Sequence, residues 1–234
     1  MSGLAVSSLL RRAGEWLVEP APAREPRHPH RLVAVPPPRH PLVGVVGLAR
    51  RCGTTTLARA LAAELAARAE GAAVAASPAR PAVVPLGTSA SAVRLAESLP
   101  HLDERRAAGR LCLAACADAE LLAELTRPVA PAVMEVEPGS PALDAAAVLD
   151  RIVLVASPDL EPALAAAVAQ TIAAVADPPV VVVNRARDHG PWLVHADLLA
   201  PDSRVGARLA LSGREPRGAL GRAVEHLADL CAGG

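Results

Sequence analysis

Lysine, phenylalanine and tyrosine are absent from this chain of 234 residues. All 24 of its Lys+Arg positions are therefore arginines, so any phosphate chemistry here has to proceed without a lysine ammonium. Net charge is lacking as well: 24 arginines balance 24 acidic residues, which gives no support for non-specific nucleic-acid binding and leaves open only a local arginine patch. No apolar run is long enough to span a bilayer, since the run at 163–176 is short and contains Gln170. The four cysteines (Cys52, Cys112, Cys116, Cys231) come without a secretory signal, a usage expected of free thiols in a reducing cytoplasm. Cys112 and Cys116 could share a helix face, but no second pair completes a metal site, so both are read as small buried hydrophobes. Ala, Arg, Pro and Val are abundant, as a GC-rich genome would produce.

The first forty residues divide into a short amphipathic helix, 7–18, and a linker rich in Pro, Arg and His that runs to residue 41. The helix carries Leu9, Leu10, Trp16 and Leu17 beside Arg11 and Arg12. It could pack on its own domain, dock a partner or lie weakly on an anionic membrane surface. From residue 41 to 234 strand-like and helix-like segments alternate, which predicts one α/β domain: three layers with a mostly parallel, doubly wound sheet. Expected strands are 42–47, 72–76, 82–86, 110–114, 132–137, 151–156 and 179–184. A helix over 55–69 should bury one stripe of Leu57, Leu61 and Leu65, with Arg59, Glu64 and Arg68 on other faces, and a last helix is expected over 216–230.

Residues 47–57 read GLARRCGTTTL and lie between a Val-rich strand and a helix start. Strand, glycine-bearing loop and helix N-terminus bring backbone NH groups and the positive helix end to one point, which builds an anion site. Gly47 and Gly53 bound the loop; Gly53 allows close approach of a phosphate, and Thr55 can offer its hydroxyl to Mg²⁺. Thr54 stands where a phosphate-binding loop carries its lysine, and the two glycines are one residue too far apart for the strict pattern. Taken alone, the loop also suits an ordinary strand-to-helix turn.

The register Ala49, Arg50, Arg51, Cys52, Gly53, Thr54, Thr55, Thr56 resembles the deviant loop of the ParA/MinD family, Lys-Gly-Gly-x-Gly-Lys-Thr-Thr, with both lysines and two glycines replaced. Further segments follow in the family's order. AVMEVEPG at 132–139 is similar to its second carboxylate strand, with Glu135 at the aspartate position. LDRIVLVASPD at 149–159 looks like its Val-x-x-Pro turn strand, and PVVVVN at 179–184 is followed by Arg185, so that Asn184, the only asparagine, falls where the family contacts the adenine edge. LAPD at 199–202 and the helical region 207–230 resemble the family's last segments. The switch segment departs from the pattern, because residues 72–85 contain no acid to position an attacking water. Loops of the form Gly-x-Thr/Ser-Thr without lysine are shared with the branch that includes the TadZ/CpaE pilus-positioning and septum-site proteins.

The resemblance implies a P-loop NTPase-like topology, ATP or ADP with Mg²⁺ as ligand, a nucleotide site of Gly47, Arg50, Arg51, Cys52, Gly53, Thr54, Thr55, Thr56, Asn184 and Arg185, and Mg²⁺ held by Thr55 and Glu135. It also implies a protein partner and a homodimer, although Ala49 replaces the lysine that reaches across the family's dimer. Three functions follow. The leading one is a pseudo-ATPase that positions or regulates, as in partitioning, septum or pilus placement. The second is a slow ATPase with Arg50 or Arg51 in place of lysine, and the third is an interaction module that binds no nucleotide.

Overall fold

The computed structural model describes residues 39–82, 87–136, 146–186 and 190–232. The expected helix at 7–18 and most of the expected strand at 82–86 lie outside them. Residues Pro37–Gly234 form one compact unit. Its described elements are β1 Leu42–Gly47, α1 Thr54–Arg68, β2 Ala73–Ser77, α2 Ala90–Ser98, β3 Asp103–Ala108, β4 Leu111–Ala115, α3 Ala119–Thr126, β5 Ala132–Val136, β6 Arg151–Ala156, α4 Pro162–Ala173, β7 Val180–Ala186, β8 Leu198–Pro201, α5 Arg204–Leu211 and α6 Gly218–Ala232. The strands form one sheet in the order β3-β4-β2-β5-β1-β6-β7-β8, parallel at every pairing except β3 with β4.

β1 is central and buried along its whole length, as its apolar run predicts for a parallel strand covered on both faces. Its period-two alternation feeds two cores. Leu42 and Val46 join Ala92, Leu122 and Ala165 from α2, α3 and α4 on one face. Val43 and Val45 join Leu57, Ala210 and Leu220 from α1, α5 and α6 on the other. The result is the expected helix–sheet–helix sandwich.

Four details differ from the sequence reading. α1 does not bury a single stripe, since every residue from Leu57 to Ala63 is buried. Its alanines let it lie between the sheet and the pair α5 and α6, so Arg59, expected on a face other than the leucine stripe, is buried as well. β3, with the sequence DERRAA, was not anticipated because its first four residues are charged and exposed; it is an antiparallel edge strand whose charges discourage pairing with another chain. β8, only four residues long, was also missed as a strand. Cys112 lies on β4 and Cys116 just beyond it, so they share no helix face, and both are buried free thiols, as expected of small hydrophobes.

Candidate functional site

The loop between β1 and α1 opens at the C-terminal edge of the sheet, flanked by the ends of β5, β6 and β7. Leu48 NH donates to the Val155 carbonyl (2.9 Å), which ties the loop's entry to β6. Arg51 takes a left-handed backbone (φ 61°), and Gly53 follows at φ 90° as the N-cap of α1. The first helical bond runs from Leu57 NH to Gly53 O (3.0 Å). The NH groups of Thr54, Thr55 and Thr56 therefore precede any intrahelical acceptor, and no side chain caps this end. A backbone cradle for an anion is present.

Thr54 does not replace what a lysine would do. Its hydroxyl lies 3.1 Å from Cys52 Sγ, turned back into the loop. The pair packs over Gly47 so closely that a Cβ there would meet Thr54 Oγ1 at 2.2 Å. Cys52 is buried, and the loop's inner surface is thus an uncharged plug of thiol and hydroxyl.

Thr55 donates a 2.7 Å hydrogen bond to Glu135 Oε2 at the end of β5. Burial pushes the Glu135 carboxyl up, opposed by the Thr55 hydroxyl and by the nearby Arg59 charge. Thr55 and Glu135 are hard oxygen donors at the foot of an anion-binding loop, a donor set that fits Mg²⁺ with most of its waters retained. Among the described residues there is no group of three or more His, Cys, Asp or Glu side chains able to hold a metal by themselves. A Mg²⁺ here would complete its shell with waters and phosphate oxygens.

Two clefts flank the loop. The first, about 1010 Å³, contains Gly47, Gly53, Thr54, Thr55 and Glu135 together with Arg59 and the wall 77–82 that follows β2. The second, about 800 Å³, lies between the loop and the ends of β7 and β8, lined by Thr56, Asn184, Asp159, Asp202 and Arg204 among others. Arg50, Arg51 and Arg185 border both. Arg185 sits at φ 61° where the β7–β8 register shifts between Asn184 and Ala186.

Asn184 is 5% exposed, and its Nδ2 donates to the Cys52 carbonyl at 2.8 Å. The same amide lies against Gly53, where a Cβ would come within 2.0 Å of Nδ2. The residue expected to face a base is thus, first of all, a strut that holds the loop from below while its side lines the second cleft. Arg59 was missed as a site residue. It is 4% exposed and donates from Nη1 to the Ala82 (2.7 Å) and Leu211 (3.0 Å) carbonyls. Its burial lowers the guanidinium's pKa, opposed by Glu135. Spacing carried a signal: Arg59 is four residues after Thr55, on the same helix face.

A mostly parallel sheet with a loop of this geometry after its central strand, helices on both faces and a carboxylate on the neighbouring strand defines the fold of the ParA and MinD ATPases. Solved structures bear this out. The ParA family ATPase from Chlorobium tepidum TLS superposes with a TM-score of 0.58 at 14% identity, covering 81% of this chain and 98% of that one. The septum site-determining protein MinD from Pyrococcus horikoshii OT3, complexed with Mg-ADP, gives 0.54 at 14% identity over 82% and 95%. The MinC:MinD cell division protein complex of Aquifex aeolicus gives 0.51 at 15% over 83% and 96%. No family model matches the sequence and no curated protein matches it.

Proposed function

We propose that this chain is a ParA/MinD-like pseudo-ATPase: it holds a Mg²⁺-bound adenine nucleotide on its loop, does not hydrolyse it, and uses the bound state to position or regulate a protein partner. Thr54 carries the reading. At the place where the resemblance calls for a fixed cation, a hydroxyl is folded against Cys52 and Gly47, leaving the backbone cradle without the charge that stabilises phosphoryl transfer. The absence of acids from 72–85 removes the usual means of orienting a water.

Binding is supported by what the loop keeps. Backbone NH groups at the start of α1 would take the phosphates, Thr55 and Glu135 would hold Mg²⁺ at its inner end, and Arg50, Arg51 and Arg185 stand at the rim of both clefts. Mg²⁺ would supply charge neutralisation of the phosphates. The MinD neighbours were solved with Mg-ADP and with MinC, respectively, and a nucleotide and a protein partner are inferred for this chain by that analogy of fold.

Phosphate release from Mg·ATP tests the reading, on wild type, Thr54→Lys and an Arg50→Ala/Arg51→Ala pair. The expected result is release at the no-enzyme background for wild type. Turnover by wild type that disappears in the arginine pair would replace this reading with a slow ATPase that uses those arginines. Turnover gained by Thr54→Lys would show that the threonine is what withholds hydrolysis.

A further inference from the structure

Arg59 stands apart from the arginines at the rim of the clefts. Arg50, Arg51 and Arg185 are exposed, whereas Arg59, four residues after Thr55 on α1, is 4% exposed and still borders the first cleft. Side chains on a helix lean toward its N-terminus, which carries this one back toward the loop. Its Nη1 donates to two carbonyls from distant parts of the chain, Ala82 (2.7 Å) and Leu211 (3.0 Å), so the guanidinium is fixed from one end. A guanidinium has five N–H donors, and these two bonds leave the hydrogens on Nε and Nη2. Neither nitrogen makes a hydrogen bond among the described residues, and neither belongs to the polar atoms sealed from water without a partner. The open edge of Arg59 therefore meets the cleft.

We propose that the Nε–Nη2 edge of Arg59 is an anion contact that takes a phosphate group in the first cleft and makes the chain prefer a nucleoside triphosphate to the diphosphate. That this phosphate is the terminal one of a bound nucleotide rests on the function proposed above. The edge presents two parallel N–H groups that match two oxygens of one phosphate, a fork that an ammonium cannot supply. Because Nη1 is already held, little side-chain freedom is left to lose when an anion arrives. Burial also spares this cation the screening that weakens the rim arginines. Glu135, the acid among the described residues lining this cleft, accepts from Thr55 and makes no hydrogen bond or ion pair with Arg59, so the fork is not already satisfied. On the nucleotide reading, Asn184 marks the base side in the second cleft, and the far end of the phosphate chain enters the first, which Arg59 borders. The facing wall, 77–82, brings no carboxylate to oppose the anion. The contact adds affinity and does not restore hydrolysis, because 72–85 holds no acid to orient a water.

Calorimetry on the full-length protein tests the contact with Mg·ATP, Mg·ADP and inorganic phosphate alone. Wild type should bind Mg·ATP about tenfold or more tighter than Mg·ADP, as expected of hydrogen bonds to a charged group. Arg59→Met removes the fork and keeps the aliphatic length, so it should lose about tenfold for Mg·ATP and stay within about twofold for Mg·ADP. The proposal is overturned by a wild type without triphosphate preference, by the same preference in Arg59→Met, or by an equal loss for both nucleotides. The last is what a purely structural Arg59 would give.

Should Arg59→Met not fold, Arg59→Lys keeps the charge and a donor for the carbonyls but lacks the fork. Its triphosphate preference should fall by about threefold or more, and an unchanged preference overturns the proposal. Inorganic phosphate separates this inference from the nucleotide reading. If neither nucleotide binds, that reading fails and phosphate decides the contact. Saturable phosphate binding that weakens by about threefold or more in the Arg59 variant sustains it; no phosphate binding, or equal binding by wild type and variant, overturns it.

Discussion

At Gly53 the backbone turns through φ 90° and a Cβ would lie 2.0 Å from Asn184 Nδ2, so this glycine meets two demands at once. Gly53→Ala should lose roughly 1–3 kcal/mol in urea unfolding from backbone strain, with the displaced Asn184 adding to it. Gly218, at φ 69° with nothing within 4 Å, is the control. Gly218→Ala should cost only the backbone term of about 1–2 kcal/mol, and equal losses at the two sites would contradict the close packing of loop and strut. Asn184→Ala leaves the buried Cys52 carbonyl without its donor and should cost about 1–3 kcal/mol by the same measurement, even without nucleotide. A variant as stable as wild type would argue against the strut. Glu135 gives a pH dependence. Its carboxyl is raised in the folded state above the unfolded value of about 4.3, so the folded protein holds more protons in that window and stability falls as pH rises through it. Glu135→Gln should therefore melt higher than wild type at neutral pH, with the gain vanishing in acid below about pH 4.

α1 starts unlike α2, α3 and α5. Ser89 caps α2 through Ala92 NH (3.1 Å), Asp118 caps α3 through Glu120 NH (2.9 Å) and Ser203 caps α5 through Gly206 NH (3.0 Å). α1 begins at a glycine, with neither a capping side chain nor an acid in its first turn. The proposed function uses its positive end to take an anion. Mg·ADP should slow amide exchange at Thr54–Thr56, whereas Ser89→Ala should cost α2 about 1 kcal/mol without altering ligand affinity. The same elements show what could be read in advance. β1, β6 and β7 were legible because Val-rich runs of five or six residues have few alternatives to a buried strand. β3 was not, since DERRAA carries the signal of a solvated loop and becomes a strand only through pairing with β4. α1 was placed to within a residue, but its burial was misjudged: periodicity finds the leucine stripe and is blind to alanines, which suit either environment.

Across the whole molecule, strand order explains why residues far apart in sequence meet. β5 and β6 flank β1, and β7 lies next to β6, so Glu135, the loop and Asn184 arrive at one edge of the sheet. Motif order in the sequence was enough to bring these residues together on paper, because parallel strands all deliver their C-terminal ends to the same side. What it could not supply were the contacts that redefine their roles. Thr54 folded onto Cys52, Asn184 beneath the loop and Arg59 between two carbonyls depend on side-chain directions set by the packed fold. The central claim is that the cradle is kept and hydrolysis is lost. It is tested most directly by calorimetric titration with Mg·ATP, followed by analysis of the nucleotide left in the cell after prolonged incubation. Saturable binding with the ATP intact is the predicted result; no binding, or ADP accumulating in proportion to protein, would contradict it.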